Sequence, residues 1–351
     1  MTAYFSDAVL VAMVGAAGGL VLGLAARLGR FCTLGALEDF FYGGSALRLR
    51  MWGIAIGVAI VSSFGAAALG LIDLSTTAYL SQSLNIPASI IGGLMFGYGM
   101  ALAGNCGFGA LARLGGGDLR SFVIVLVIGL SAYIAMSGPL AQLRVTAFPH
   151  YPVPDAPAGI AHWINSTFGA GTYLTGMMIG GLILAGSITS RNLQEMRKPL
   201  FWGAVVGIAI TSGWVGSTHI DRIGFEAISA ASHTFSAPLG ETMLYAMTAS
   251  ARSVSFGVGS VFGVLIGAFI GSLFKGHFRW EACDDPRELR RQILGGALLG
   301  VGAVIAMGCS VGQGLSAFSV LAMSAPITLC AIVVGAYVGL RQLIEGFASP
   351  S

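Results

Sequence analysis

Hydrophobic residues in this chain run in long unbroken stretches, and nine of these approach the roughly 20 residues that a helix needs to cross a bilayer. They lie near 8–26, 52–72, 86–104, 121–138, 173–190, 200–218, 254–274, 293–308 and 325–344. The expected fold class is all-α: a polytopic membrane protein of about nine transmembrane helices. Three further segments are too apolar for solvated loops and too short for full spans: GRFCTLGALEDFFYGG from Gly29, GNCGFGALARLGGG from Gly104 and GCSVGQGLSAFSVLA from Gly308. Each is expected to be a re-entrant half-helix that dips into the protein, where irregular backbone is tolerated because protein rather than lipid surrounds it.

Charge orients the spans. With the N-terminus outside, the cytoplasmic connections hold 15 of the 18 Lys and Arg residues and only Arg144, Arg222 and Arg252 face outward. Shifting the count by one span destroys that asymmetry, so the positive-inside rule predicts an N-out, C-in topology. Segment 139–172, with FPHYPVPDAPAG, then becomes an outward loop. The start of the chain lacks a basic leader and a polar cleavage region, so insertion is expected to rely on the first span.

The chain also resembles itself. An offset of 203 brings Gly92, Gly93, Gly97, Gly99, Ala103, Cys106 and Gly109 onto identical residues from Gly295 to Gly312, with Cys106 on Cys309. A weaker match near the front of each half relates GLVLGLAARLG from Gly19 to GAVVGIAITSG from Gly203. Four spans per half with one between them force the second half into the membrane from the opposite side. The organisation expected is a first repeat at 1–172 with its outward loop, a linking helix at 173–190, and a second, inverted repeat at 191–351, together forming one integral membrane domain. The breaks at Cys32 and Cys106 would then face the cytoplasm and that at Cys309 would approach from outside.

Composition agrees and narrows the function. The chain is 55% hydrophobic and only 9% charged, with a mean hydropathy of +0.83, which excludes a soluble enzyme, a disordered chain and a nucleic-acid-binding domain. The 53 glycines show no period of three and read as close helix packing and broken helices. The net charge of +3 comes from clusters that set topology.

Cys32, Cys106 and Cys309 stand at the breaks of the expected half-helices, whereas Cys283 and Cys330 have no such setting and read as ordinary small apolar residues. A thiol just before a short helix sits beside free backbone N–H groups and a positive dipole end, which attract an anion. Gly104, Gly107 and Gly308, with Asn105 and Ser310 beside them, let the backbone approach that anion closely, and the thiol adds a weak, soft donor. Such a site suits an oxyanion that also carries a soft sulfur atom. Arg30 and Arg113 add positive potential or simply anchor their segments inside. Glu38, Asp39, Asp221, Glu226 and Glu241 are solvated loop charges or candidates for proton coupling, and His219 and His233 read as surface or interfacial. No CxxC, HExxH, zinc-spaced cluster or nucleotide motif is present, so neither metal nor cofactor is expected.

The segments GRFCTLGALEDFFYGG, GGLMFGYGMALAGNCGFGALARLGGG and GAVIAMGCSVGQGLS resemble the signature segments of the YeeE/YedE sulfur-transport family of bacterial inner-membrane proteins, and the resemblance covers nearly the whole chain. It implies an hourglass-shaped helical transporter that takes up thiosulfate past three central cysteines, which fall here on Cys32, Cys106 and Cys309. It also implies a small cytoplasmic sulfurtransferase partner of the TusA/YeeD type, while some relatives are linked to selenium. Asn105 stands where that pattern leads one to expect a second glycine. Two other readings of the cysteines remain: a soft-metal carrier for Cu(I) or Hg(II) assisted by Met100 and Met307, and a sulfur relay in which one thiol accepts a sulfane sulfur.

Overall fold

The computed structural model describes residues 6–149, 157–189, 193–282 and 285–346. Among these the structure is helical, with no strand beyond two isolated bridges. Helices occupy all nine expected positions: α1 (Asp7–Leu28), α3 (Leu47–Ala68), α4 (Ile86–Ala103), α6 (Leu119–Met136), α9 (Thr172–Ile188), α10 (Leu193–Ile223), α12 (Phe256–Phe274), α13 (Pro286–Ile305) and α14 (Ser324–Glu345). Seven of the nine meet both the length and the hydropathy needed for a span. The exceptions are α9, which has 17 residues, and α13, whose first turns carry Arg287, Glu288, Arg290 and Arg291. That charged start pulls α13 forward of the expected 293–308, and residues 306–308 belong to the break that follows it.

Between the spans lie the half-helices α2 (Thr33–Phe41), α5 (Gly107–Gly115) and α11 (Ala237–Thr248), and a helical segment at 310–319 whose middle, Gly312–Ala317, is a π-helical turn. The outward loop carries two short helices, α7 (Leu140–Ala147) and α8 (Ile160–Phe168). It is stitched to the end of the π-helical segment, Ile160 N–H donating to Leu321 O at 2.8 Å and Met323 N–H to Ala158 O at 3.1 Å.

The helices pack in matching sets. As α1 lies against α12, so α10 lies against α3; as α4 lies against α14, so α13 lies against α6; and α1 meets α10 while α4 meets α13. Lipid tails offer no hydrophobic force to press helices together, so close backbone approach has to do it. Gly15, Gly19 and Gly23 of α1 face the carbonyls of Phe256, Ser260 and Val264, and α12 answers with Gly259, Gly263 and Gly267 against the carbonyls of Ala12, Ala16 and Leu20. Gly92 and Gly99 of α4 meet Gly302 and Gly295 of α13 in the same reciprocal manner.

This packing predicts a sharp difference between glycines. A Cβ on Gly97 would collide with the carbonyl of Ile332, whereas one on Gly181 meets nothing within 4 Å. Gly97→Ala is expected to lower stability by about 2–3 kcal/mol, read as the unfolding midpoint in mild detergent, with Gly181→Ala as the neutral control.

Candidate functional site

The three cysteine breaks share one local construction. Two residues before each cysteine the backbone turns left-handed, at Arg30 (φ 56°), Gly104 (φ 73°) and Met307 (φ 57°). Cys32 and Cys106 are the N-caps of α2 and α5. In all three breaks the thiol sulfur accepts the N–H of a glycine three residues on: Gly35 N–H at 3.5 Å, Gly109 N–H at 3.4 Å and Gly312 N–H at 3.3 Å. A side chain on Gly35 or Gly312 would strike Arg48 or Thr234. The repeated C-x-x-G spacing is thus the sequence form of a thiol cap, a signal present in the chain that inspection of the cysteines alone passes over.

The breaks converge. Cys106 and Cys309 are each 1% exposed, and Cys106 is close enough to Cys32, Cys309 and Ser310 to interact electrostatically with each. A fourth segment closes the group from the α10–α11 connection: Phe235 N–H donates to Cys309 Sγ at 3.3 Å and Thr234 Oγ1 lies 3.6 Å from it. Phe235 also approaches Gly107 and stacks obliquely on Phe108 at 5.2 Å.

His233 holds that segment in place. Contrary to the expected surface position, it is fully buried: the bundle, not the polarity of its own segment, decides its depth. Its Nδ1 lies 2.7 Å from Ser260 Oγ, its ring packs at 5.0 Å from Phe256, and its carbonyl accepts a 2.7 Å hydrogen bond from Ser316. His219 is exposed, as expected. Cys330 is exposed on α14, and Cys283 lies outside the described residues.

Cavities approach the group from opposite ends of α1 and α12. One, of about 380 Å³, is lined by Cys32, Gly104 and Asn105 at its depth and by Arg27, Arg30, Arg48, Arg113 and Lys275 around it, with Glu38 facing them. Asp39 instead pairs with Arg48 at 3.1 Å. The other, of about 430 Å³, reaches Thr234 beside Cys309 and is lined by Glu226 and Glu241. At the convergence, Asn105 Nδ2 is buried without a hydrogen-bond partner, and Ser310 Oγ has none but the Cys106 thiol beside it. Such groups are costly unless something transient satisfies them. The structure thus brings Arg30, Cys32, Gly104 and Asn105 to one cavity and Cys106, Gly107, Gly308, Cys309 and Ser310 to the adjoining convergence, and Thr234, Phe235 and His233 join them unforeseen. Met100 is buried in α4, and among the described residues no three His, Cys, Asp or Glu side chains are arranged to hold a metal.

Residues 28–338 match the sulphur transport family profile. A protein named thiosulfate transporter TsuA from Escherichia coli is 25% identical over 341 residues, covering 91% of each chain. Another of the same name from Spirochaeta thermophila is 24% identical over 332 residues, covering 90% of this chain and 94% of its own.

The left-handed turns carry their own prediction. A Cβ at Gly104 meets no atom within 4 Å, so the cost of Gly104→Ala is conformational alone. A loss of about 1 kcal/mol is expected in denaturant unfolding, and a smaller loss for Gly104→Asn, since asparagine tolerates this backbone region.

Proposed function

Because the chain belongs to the sulphur transport family, we propose that it takes up thiosulfate, or a closely related sulfur oxyanion, past Cys309, Cys106 and Cys32 in turn. One observation carries this reading. Each sulfur accepts a glycine N–H through a lone pair, an interaction that does not use the S–H proton a passing anion would take. A thiosulfate ion offers both partners such a thiol can use: oxygens that accept hydrogen bonds and a terminal sulfur that is soft and polarisable. The anion is also drawn by the N-terminal dipole ends of the half-helices. Asn105 and Ser310 supply donors to its oxygens as it passes, Gly104 leaves it room against the backbone, and Gly107 and Gly308 let Phe235 and Gln313 close in beside the thiols. Arg30 receives it at the basic mouth.

The reading extends to the architecture. The matched packing of α1–α12 with α10–α3 and of α4–α14 with α13–α6 supports two inverted repeats at 1–172 and 191–351, joined by the helix at 173–190. In an N-out, C-in orientation in the bacterial inner membrane, the basic cavity faces the cytoplasm, where a TusA/YeeD-type sulfurtransferase would collect the product.

The test is uptake by sulfur-starved cells that lack their own thiosulfate transporters. Cys32→Ala, Cys106→Ala and Cys309→Ala are each expected to reduce uptake at least about tenfold at equal membrane abundance, a loss of about 1.4 kcal/mol or more, while Cys330→Ala retains it. Uptake that survives all three substitutions refutes the path, and none from a well-inserted wild type refutes the substrate.

A further inference from the structure

We propose that the cations of the basic cavity, which surround the Cys32 thiol, form an anion site that does not depend on that thiol and takes tetrahedral divalent oxyanions with no soft sulfur, sulfate being the simplest. The 380 Å³ cavity gathers the five cations Arg27, Arg30, Arg48, Arg113 and Lys275 around a single lining carboxylate, Glu38; Asp39 offsets Arg48 and Asp118 and Glu281 act on Arg27, so the positive excess rests chiefly on Arg30, Arg113 and Lys275. Packed cations repel one another unless an anion offsets them. That repulsion is visible at Lys275, just beyond the end of α12: burial, then Arg30, Arg27 and Lys198, push its ammonium below the usual lysine range.

The cations are held by the protein and still have donors to spare. Arg27 Nε donates to Ser272 Oγ at 2.7 Å, leaving its remaining N–H groups free, and Lys275 Nζ is fixed by Arg27 O at 2.6 Å and Leu28 O at 3.2 Å. The second, independent sign of a ligand is Asn105. It is 2% exposed, lines the deep end of the same cavity and carries a buried amide nitrogen with no partner. Cations gathered at one mouth, with Arg27, Arg48 and Lys275 held by the protein, beside a lining asparagine whose N–H is unsatisfied form an oxyanion cradle. None of its cations requires the anion to be soft.

This inference rests on the transport reading only for its consequence: an anion resting in the basic cavity occupies the end of the path, so sulfate on that side slows thiosulfate passage. Sulfate binding itself does not depend on transport. The experiment is calorimetric titration of the purified full-length protein in neutral detergent with sodium sulfate at fixed ionic strength. Wild type should bind sulfate. Arg113→Gln and Lys275→Gln should each weaken binding about tenfold, Lys275→Arg should restore it, and Cys330→Ala should leave it unchanged. A cooperative thermal melt for each variant confirms that the protein is folded. The proposal is overturned if folded wild type binds no sulfate, or if both cation variants bind it as wild type does. Cysteine-dependent thiosulfate uptake without sulfate binding would sink this inference and spare the transport reading; sulfate binding without uptake would do the reverse.

Discussion

A helix that begins inside a membrane exposes N–H groups where no water can satisfy them. The centre of this protein is built around that constraint. Each cysteine break needs a left-handed turn to reverse the chain and an acceptor to cap the new helix. A serine would cap more firmly. A thiol caps weakly, and under the proposed function its S–H holds a passing anion only loosely, as conduction requires. On that proposal the group that solves the structural problem also presents a donor to the path, and fold and site cannot be separated at these positions.

The broken helices can meet only if the intact ones bring their backbones together. The reciprocal glycines of α1 and α12, and of α4 and α13, do this on both sides of the convergence. They replace side-chain interdigitation with backbone contact, whose geometry tolerates little slippage. That rigidity matters because the thiols are positioned by short turns. Arg30 and Met307 adopt a backbone that non-glycine residues resist, and such residues persist only where their surroundings over-determine them. On the opposite face from the cations, His233 provides the matching restraint. It engages Ser260 and Ser316 at once, and so fixes the segment that delivers Phe235 N–H to Cys309.

What the sequence made legible was what local pattern determines. Unbroken apolar runs located the nine helices, and glycine beside cysteine located the breaks, because both signals lie within a few residues. The depth of the 224–236 connection was not legible. Its serines, histidine and acidic residue look solvated, and only the groove between α1, α12 and the 310–319 segment carries His233 to full burial. The contact of Phe235 N–H with Cys309 joins residues 74 positions apart, which no local pattern encodes. The start of α13 was misplaced because a charged amphipathic turn continues the helix outside the apolar window that defines a span. By contrast, the threefold C-x-x-G was in plain view and needed only the physics of capping to be read.

The charge arrangement sets a limit on the energetics of uptake. In the proposed orientation a dianion enters past Glu226 and Glu241 and leaves among five cations, so the protein's own field draws it inward. A membrane negative inside opposes this by about 2.3 kcal/mol per charge per 100 mV, hence about 4.6 kcal/mol for two charges. Fixed charges stabilise an ion along the way but leave the difference between the two bulk solutions unchanged, and a tighter basic cavity would only hold the ion longer. Net accumulation therefore demands an input outside that field: either a coupled ion, or removal of the anion as fast as it arrives. A cavity rich in cations and open to one side suits the second arrangement, because it concentrates the anion where a consuming enzyme can take it while the thiols upstream remain free for the next ion.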